Sequence, residues 1–436
     1  MRKLLSSLLF LPILGVNAHI SSDVKSDFNA MFRDSTLRID YNFTGTSQTQ
    51  EIALDELHVS KGWYGRRVNM QKLPLAGNGQ IVMKDSQSGR EIYKASFSTL
   101  FQEWQTSEEA TQVRKSFENT FQLPFPRRDA KVEVTLFNTH REPIYKFEHQ
   151  VKVDDILIRP LPTLPQHPYK YIHHGGESNK CIDVAIVAEG YTAAESNVFY
   201  ADAERATQEI LKYKPFSDFK DRFNFVAVAV PSLESGVSIP HNNDWKQTAL
   251  HSNFDTFYSK RYLTTLKLKA LNDALAGVPY EHILILANTS NYGGGGIYNS
   301  YTLSAAHNEH FLPVTVHEFG HSFGGLADEY FYDDQYANYY HPNIEPWEQN
   351  ITTLARFSEK WKDMLPQKRK IPTGTDDTTD SDTQKIGVYE GGGYMSKGVY
   401  RAFRNCRMRT NEVPVFCAVC ERALRRLIEF YTTPQP

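Results

Sequence analysis

Two histidines and a glutamate open the question of chemistry. In the run Pro313-Val-Thr-Val-His317-Glu318-Phe-Gly-His321-Ser-Phe-Gly324-Gly325-Leu-Ala-Asp328-Glu329-Tyr330, the histidines stand four positions apart. On a helix that spacing puts both imidazoles on one face, where they can grip a single metal ion. Glu318 lies beside them, suited to a water near the metal rather than to the metal itself. Two ligands and a base on one helical turn imply a zinc-dependent peptidase. Two surface histidines on an ordinary helix share the spacing, so the surroundings decide. Pro313 suits a first helical turn, and the Gly324-Gly325 pair suits a helix end. Catalytic zinc commonly takes three protein ligands and keeps one position for water. Asp328, eleven residues past His317 and beyond the glycine turn, is the preferred third ligand. The adjacent Glu329 is the alternative, and His307, His310 and His341 are the remoter candidates.

A helix of this kind needs a rigid sheet behind it, and the second half of the chain supplies the pattern. Ile182-Asp-Val-Ala-Ile-Val-Ala, Phe223-Asn-Phe-Val-Ala-Val-Ala-Val and His282-Ile-Leu-Ile-Leu-Ala read as strands buried on both faces. Between the first two, Ala193 to Tyr213 has helical spacing, with Thr192 and Glu195 as a capping box. The first half differs. Leu37 to Phe43 alternates apolar and polar residues, and Gln80–Lys84 with Glu91–Phe97, then Lys131–Phe137 with Ile144–Val151, read as hairpins. Short strands with turns between them predict a β-sandwich, with no catalytic pattern in it. Prolines at 160, 162, 165 and 168 mark a stiff linker between the halves. The expected organisation is a signal peptide at 1–18, a sandwich domain at 19–158, a linker at 159–170 and a catalytic domain at 171–436.

Arg2 and Lys3, the apolar stretch Leu4–Val16 and the small residues of Val16-Asn17-Ala18 form a cleavable export signal. The stretch is 13 residues, short of the roughly 20 that span a bilayer. The mature chain is therefore expected to begin near His19, in the periplasm or outside the cell, with no membrane span. The 436 residues carry 48 Lys+Arg against 51 Asp+Glu, a net −3, which gives no basic excess for nucleic acid. Export permits disulfides, and Cys181, Cys406, Cys417 and Cys420 allow two bridges in any of three pairings. Structural bridging is the expectation. A metal knuckle or a redox pair at Cys417-x-x-Cys420 is the alternative, although structural zinc usually takes two such pairs and only one is present. The acidic tract Asp376–Asp382 lacks the twelve-residue loop and closing Glu of a calcium site and reads as a solvated loop.

The segment His317 to Tyr330 resembles the signature of the bacterial IgA-peptidase family of zinc metallopeptidases, which is distantly metzincin-like. Val187-Ala-Glu-Gly-Tyr-Thr192, Ser232–Pro240, Asn291-Tyr-Gly-Gly-Gly-Gly296, Tyr389-Glu-Gly-Gly-Gly-Tyr394 and Val399–Met408 are similar to its other recurring segments. The likeness covers 175–430, and the strand-rich half resembles the N-terminal domain of some members. It implies an α+β or α/β fold, with an N-terminal β-sandwich before a metzincin-like domain of mixed sheet and active-site helix. Ordinary metzincins place a third ligand ten residues after the first histidine. That position here is Ala327, which cannot ligate, and the carboxylate comes one residue later. The resemblance also implies a methionine in a tight turn beneath the metal, Met408 first and Met395 second. It implies a substrate-binding strand edge near Gly294 and Gly295, with Ile297 to Leu303 as an exposed edge strand.

The sequence thus describes an exported peptidase with one catalytic Zn2+ held by His317, His321 and Asp328. Glu318 would take a proton from the attacking water and pass it to the leaving amine. Tyr394 or Tyr400 would stabilise the oxyanion. A protein or peptide is the expected substrate; neither its sequence nor the oligomeric state is legible. A non-catalytic binding or adhesion protein on this fold, and a zinc amidase of cell-wall peptides, are the competing readings.

Overall fold

The computed structural model describes residues 28–332, 339–374 and 385–435. The export signal and the acidic tract lie outside the described residues. After the short helix α1 (Phe28–Met31) come β1 (Phe32–Gly45), β2 (Gln50–Lys61), β3 (Gly79–Asp85) and β4 (Glu91–Phe97). Helix α2 (Leu100–Trp104) then leads to β5 (Lys115–Pro126), β6 (Ala130–Phe137), β7 (Pro143–Val151) and β8 (Arg159–Pro160). They form two four-stranded sheets, ordered β5-β1-β2-β8 and β4-β3-β6-β7. The period of two explains the pairing: in β6, Ala130, Val132, Val134 and Leu136 are buried while Lys131, Glu133 and Thr135 stay partly exposed. They meet Leu37, Ile39, Tyr41 and Phe43 of β1 in one apolar core.

The second half has β9 (Tyr169–His174), β10 (Ile182–Glu189), β11 (Phe223–Val228), β12 (His282–Ala287), β13 (Gly294–Ile297) and β14 (Tyr301–Ala305). Their order is β13-β14-β12-β10-β11-β9. The four inner strands are parallel, and β9 and β13 run antiparallel at the two edges. Every residue of the inner four is buried, which is what continuous apolar runs require. Helices α3 (Ser196–Lys212), α4 (Leu268–Ala274), α5 (Phe311–Ser322) and α6 (Ala418–Thr432) surround this sheet. The turn before α3 closes as expected, with Glu195 Oε2 accepting from the Thr192 backbone at 2.8 Å. A small sheet of β15 (Phe331–Tyr332), β16 (Ile351–Thr352), β17 (Tyr389–Gly392) and β18 (Tyr394–Arg401) flanks the helix α5 end.

The proline-rich 159–170 segment carries strand pairs at both ends: Arg159–Pro160 pair with His58 and Val59, and Tyr169 and Lys170 pair with Val228 and Ala227. Proline lacks a donor but is tolerated on sheet edges, and both strands lie at edges. One expectation is corrected: Ile297 to Leu303 is not an edge strand. Tyr298–Ser300 turn the chain, Tyr301 onward is an interior strand, and the glycine run itself forms the edge. The two halves also share one core, in which Leu268, Leu271, Tyr280 and Ile283 join the sandwich residues.

Candidate metal centre

Helix α5 is fixed by its apolar side. Val316 and Phe319 are buried, and Phe319 stacks on Phe323 just past the helix, ring centroids 5.2 Å apart. Burying each such side chain contributes about 1.5–3 kcal/mol, which holds the helix in register. Thr315 adds a bond from its hydroxyl to Ser304 at 2.9 Å, and Ser322 a bond to Thr302. The remaining face carries His317 and His321, with 12% and 15% of their side chains accessible. Gly325, at φ +56°, then turns the chain so that Asp328 comes back to the helix.

His317 Nε2 lies 3.0 Å from His321 Nε2 and 3.0 Å from Asp328 Oδ1, and His321 Nε2 lies 3.2 Å from the same oxygen. Each imidazole's other nitrogen is committed: Nδ1 of His317 faces the Arg407 carbonyl at 3.0 Å, and Nδ1 of His321 that of Leu326 at 2.6 Å. A carbonyl can only accept, so both Nδ1 atoms carry hydrogens, and each Nε2 is left to share a proton or to offer a lone pair to a metal ion. Three acceptors that converge so closely require positive charge among them. Burial opposes a charged His321, yet Asp328 and Glu318 pull it up to about 9. Burial likewise opposes ionised Asp328, yet the His321 and His317 rings hold it well below the usual carboxylate range. Two imidazoles and one carboxylate could hold a metal ion, and their donor atoms fit zinc.

The surrounding chain orients these groups. The Tyr394 hydroxyl donates to Asp328 Oδ2. Gly393 N–H donates to the Asp328 carbonyl at 2.8 Å, and Glu329 N–H to that of Met408 at 2.8 Å. Asn350 grips both amide groups of Ala327, each at 2.8 Å. Met408 is fully buried under α5: a Cβ added at Gly320 would stand 2.6 Å from its sulfur. Met395 instead packs with Ala327, Ile351 and Val399. Glu318 is half-buried beside β13, where desolvation pushes its carboxyl up against the pull of His317 and His321. A Cβ at Gly294 would lie 3.2 Å from Glu318 Cγ.

Several expected residues are elsewhere. Tyr400 lies six residues along β18 from Tyr394, roughly 20 Å in an extended strand, and pairs with Thr352 and Glu390. His307 bonds Asp202 at 2.8 Å, half-buried His310 lies beside Glu309, and His341 stacks on His140. The β13 edge is partly covered, since Tyr262 bridges Gly294 and packs on Gly295. The four cysteines are unbridged, and the three near the C-terminus gather without Cys181, whose thiol bonds the Asp221 carbonyl. Two bridges among the four are thus ruled out by placement.

Other neighbours had no signal in the sequence. Tyr330 lies parallel to His317, with a 16° interplanar angle. Glu103, from α2 of the sandwich, accepts from Tyr262 at 2.7 Å and lies in the electrostatic field of His321, Asp328 and Glu318. The first half, read as free of catalytic pattern, therefore reaches the site. Phe101 and Trp104 are buried, and α2 thereby turns Glu103 outward.

Family models match on both sides of the linker. The Peptidase M64 N-terminus matches residues 27–148, and IgA Peptidase M64 matches 171–382 and 377–428. No curated protein is matched. The IgA Peptidase M64 match by itself spans more than half of the 436 residues. The chain, with a β domain ahead of its peptidase domain, belongs to the IgA peptidase M64 family of peptidases.

Proposed function

We propose that this chain is an exported, metzincin-like zinc peptidase that cleaves peptide bonds in proteins or peptides. His317, His321 and Asp328 would hold the ion. The observation that carries the reading is the convergence of two Nε2 atoms and one carboxylate oxygen within 3.2 Å, with both Nδ1 atoms already bonded to carbonyls. Zinc, when bound, supplies Lewis-acid polarisation of the scissile carbonyl and acidifies the attacking water. Glu318 serves as general base, and burial raises its affinity for the proton it must take. It then returns the proton to the leaving amine. Tyr394 is bonded to Asp328 and therefore positions that carboxylate. Met408 supports the helix from below, and the uncovered part of the β13 edge offers backbone groups to an extended substrate.

Glu318→Gln tests the mechanism. The amide keeps shape and hydrogen-bonding reach but takes no proton, so kcat should fall at least about a hundredfold while zinc content and fold persist. Chelation should abolish cleavage of an unstructured protein, and added zinc should restore it. Wild-type turnover in the variant would remove Glu318 as base. Chelator-insensitive wild type would remove the metal. Sequencing of the exported form should start near His19.

A further inference from the structure

Behind Asp328 lies a second, closed cluster of ligand atoms. Cys406, Cys417 and Cys420 each offer a sulfur and Glu329 a carboxylate oxygen, all within 4.8 Å of one another. None belongs to the site described above, and all four residues are buried, Cys406, Cys420 and Glu329 completely. Glu329 Oε1 accepts from Asn350 at 3.0 Å and lies 3.3 Å from Cys420 Sγ, while Oε2 is buried without a hydrogen-bond partner. A carboxylate this deep needs a cation or a full set of donors, and thiols are weak donors.

We infer that Cys406, Cys417, Cys420 and Glu329 form a structural zinc site, separate from the catalytic one. Cys406 and Cys420 sulfurs stand 3.7 Å apart. Ligands at about 2.3 Å around a tetrahedral ion stand roughly 3.7 Å from each other, whereas a disulfide brings sulfurs to about 2.05 Å. Cys406 Sγ also accepts the Cys417 N–H at 3.2 Å, the kind of backbone bond that supports a thiolate. Cys417 caps α6 and Cys420 lies in its first turn, where the helix dipole favours negative sulfur. On binding, the three thiols each release a proton, so three thiolates, one carboxylate and Zn2+ leave a net −2. The Arg401 and Arg409 guanidiniums lie in the field of Glu329 and offset that charge. No position is left for water, as in sites that hold structure.

Such an ion would tie three segments together: the Asp328-Glu329 loop, the turn carrying Met408, and α6. Its role is to position catalytic residues, one residue from the catalytic ligand Asp328.

The test uses the full chain purified without chelator. The His317→Ala/His321→Ala protein should retain about one zinc, with an X-ray absorption shell of sulfur at roughly 2.3 Å. Wild type should carry about two zinc ions, with sulfur and nitrogen or oxygen shells together, so the answer does not depend on the variant folding. After denaturation with chelator and no reductant, all 4 cysteines should react with a thiol reagent. Zinc bound only by nitrogen and oxygen in wild type, a double variant that folds without zinc, or a chain with two unreactive cysteines would each overturn the site. A sulfur-bound ion in a wild type that lacks the second shell would support it and count against the catalytic reading.

Discussion

Asp328 and Glu329 are consecutive, yet their carboxylates serve opposite sides of the chain. Asp328 Oδ1 lies 3.0 Å from His317 Nε2, and Glu329 Oε1 lies 3.3 Å from Cys420 Sγ. The two side chains leave this segment in opposite directions, one toward α5 and the other toward the cysteines. Asp328→Ala should therefore lose zinc from the histidine site and abolish cleavage, whereas Glu329→Ala should keep the histidine-bound zinc and lose thermal stability. Zinc analysis with X-ray absorption on both proteins decides. The reverse outcome would transfer the third-ligand role to Glu329.

The Tyr394 hydroxyl is the donor to the other Asp328 oxygen. Groups that orient a ligand typically govern 10–100-fold in metal affinity or activity, about 1.4–2.7 kcal/mol. Tyr394→Phe keeps the ring against Tyr330, 5.3 Å away, and removes the hydroxyl with its bonds to Asp328 and Tyr330. Competition against a chromophoric chelator should show zinc held roughly ten- to a hundredfold more weakly. An unchanged affinity would mean that the backbone alone orients Asp328.

The ligand helix and its sheet were legible because their signals are periodic: i and i+4 for His317 and His321, unbroken apolar runs for β10, β11 and β12. The sandwich strands followed from period two, as β6 shows residue by residue. The glycine strand was not legible as a strand. Glycines carry no side-chain pattern, and what makes them extended is the approach of α5, a tertiary fact. Glu103 and Asn350 escaped for the same reason: each acts on residues more than twenty positions away in the chain. The cysteines misled because export suggested pairs, while the fold gathers three of them around Glu329.

Acid should destabilise the fold through His282. It sits in β12 between Phe323 and Tyr431, ring centroids 5.0 and 5.4 Å away, and burial depresses its pKa from 6.5 to about 3. The folded state keeps the ring neutral while the unfolded chain takes up a proton below 6.5. The stabilisation is thus complete above that pH and is lost as pH falls toward 3, by up to about 1.4 kcal/mol per unit. Urea midpoints measured across this range should fall less steeply for His282→Leu than for wild type. Parallel curves would show that His282 takes up its proton as readily folded as unfolded.

The final prediction concerns the contact that sets β13 against the ligand helix. A Cβ added at Gly296 would stand 2.3 Å from the Glu318 carbonyl and 2.8 Å from His321 Cβ. A backbone carbonyl within a helix cannot step aside, so Gly296→Ala must push the strand away from α5. Overpacking of this kind costs about 1–3 kcal/mol, which should appear as a lowered Tm. The displaced strand also carries Gly294 and Gly295 away from Glu318, so kcat/KM on a peptide should fall by more than the loss of folded protein explains. Gly392→Ala is the control. Its added carbon would meet Ile351 at 3.5 Å, an ordinary contact, and should leave both quantities near wild type. If Gly296→Ala behaves like that control, β13 does not lie against the helix, and the proposed place for substrate along its edge goes with it.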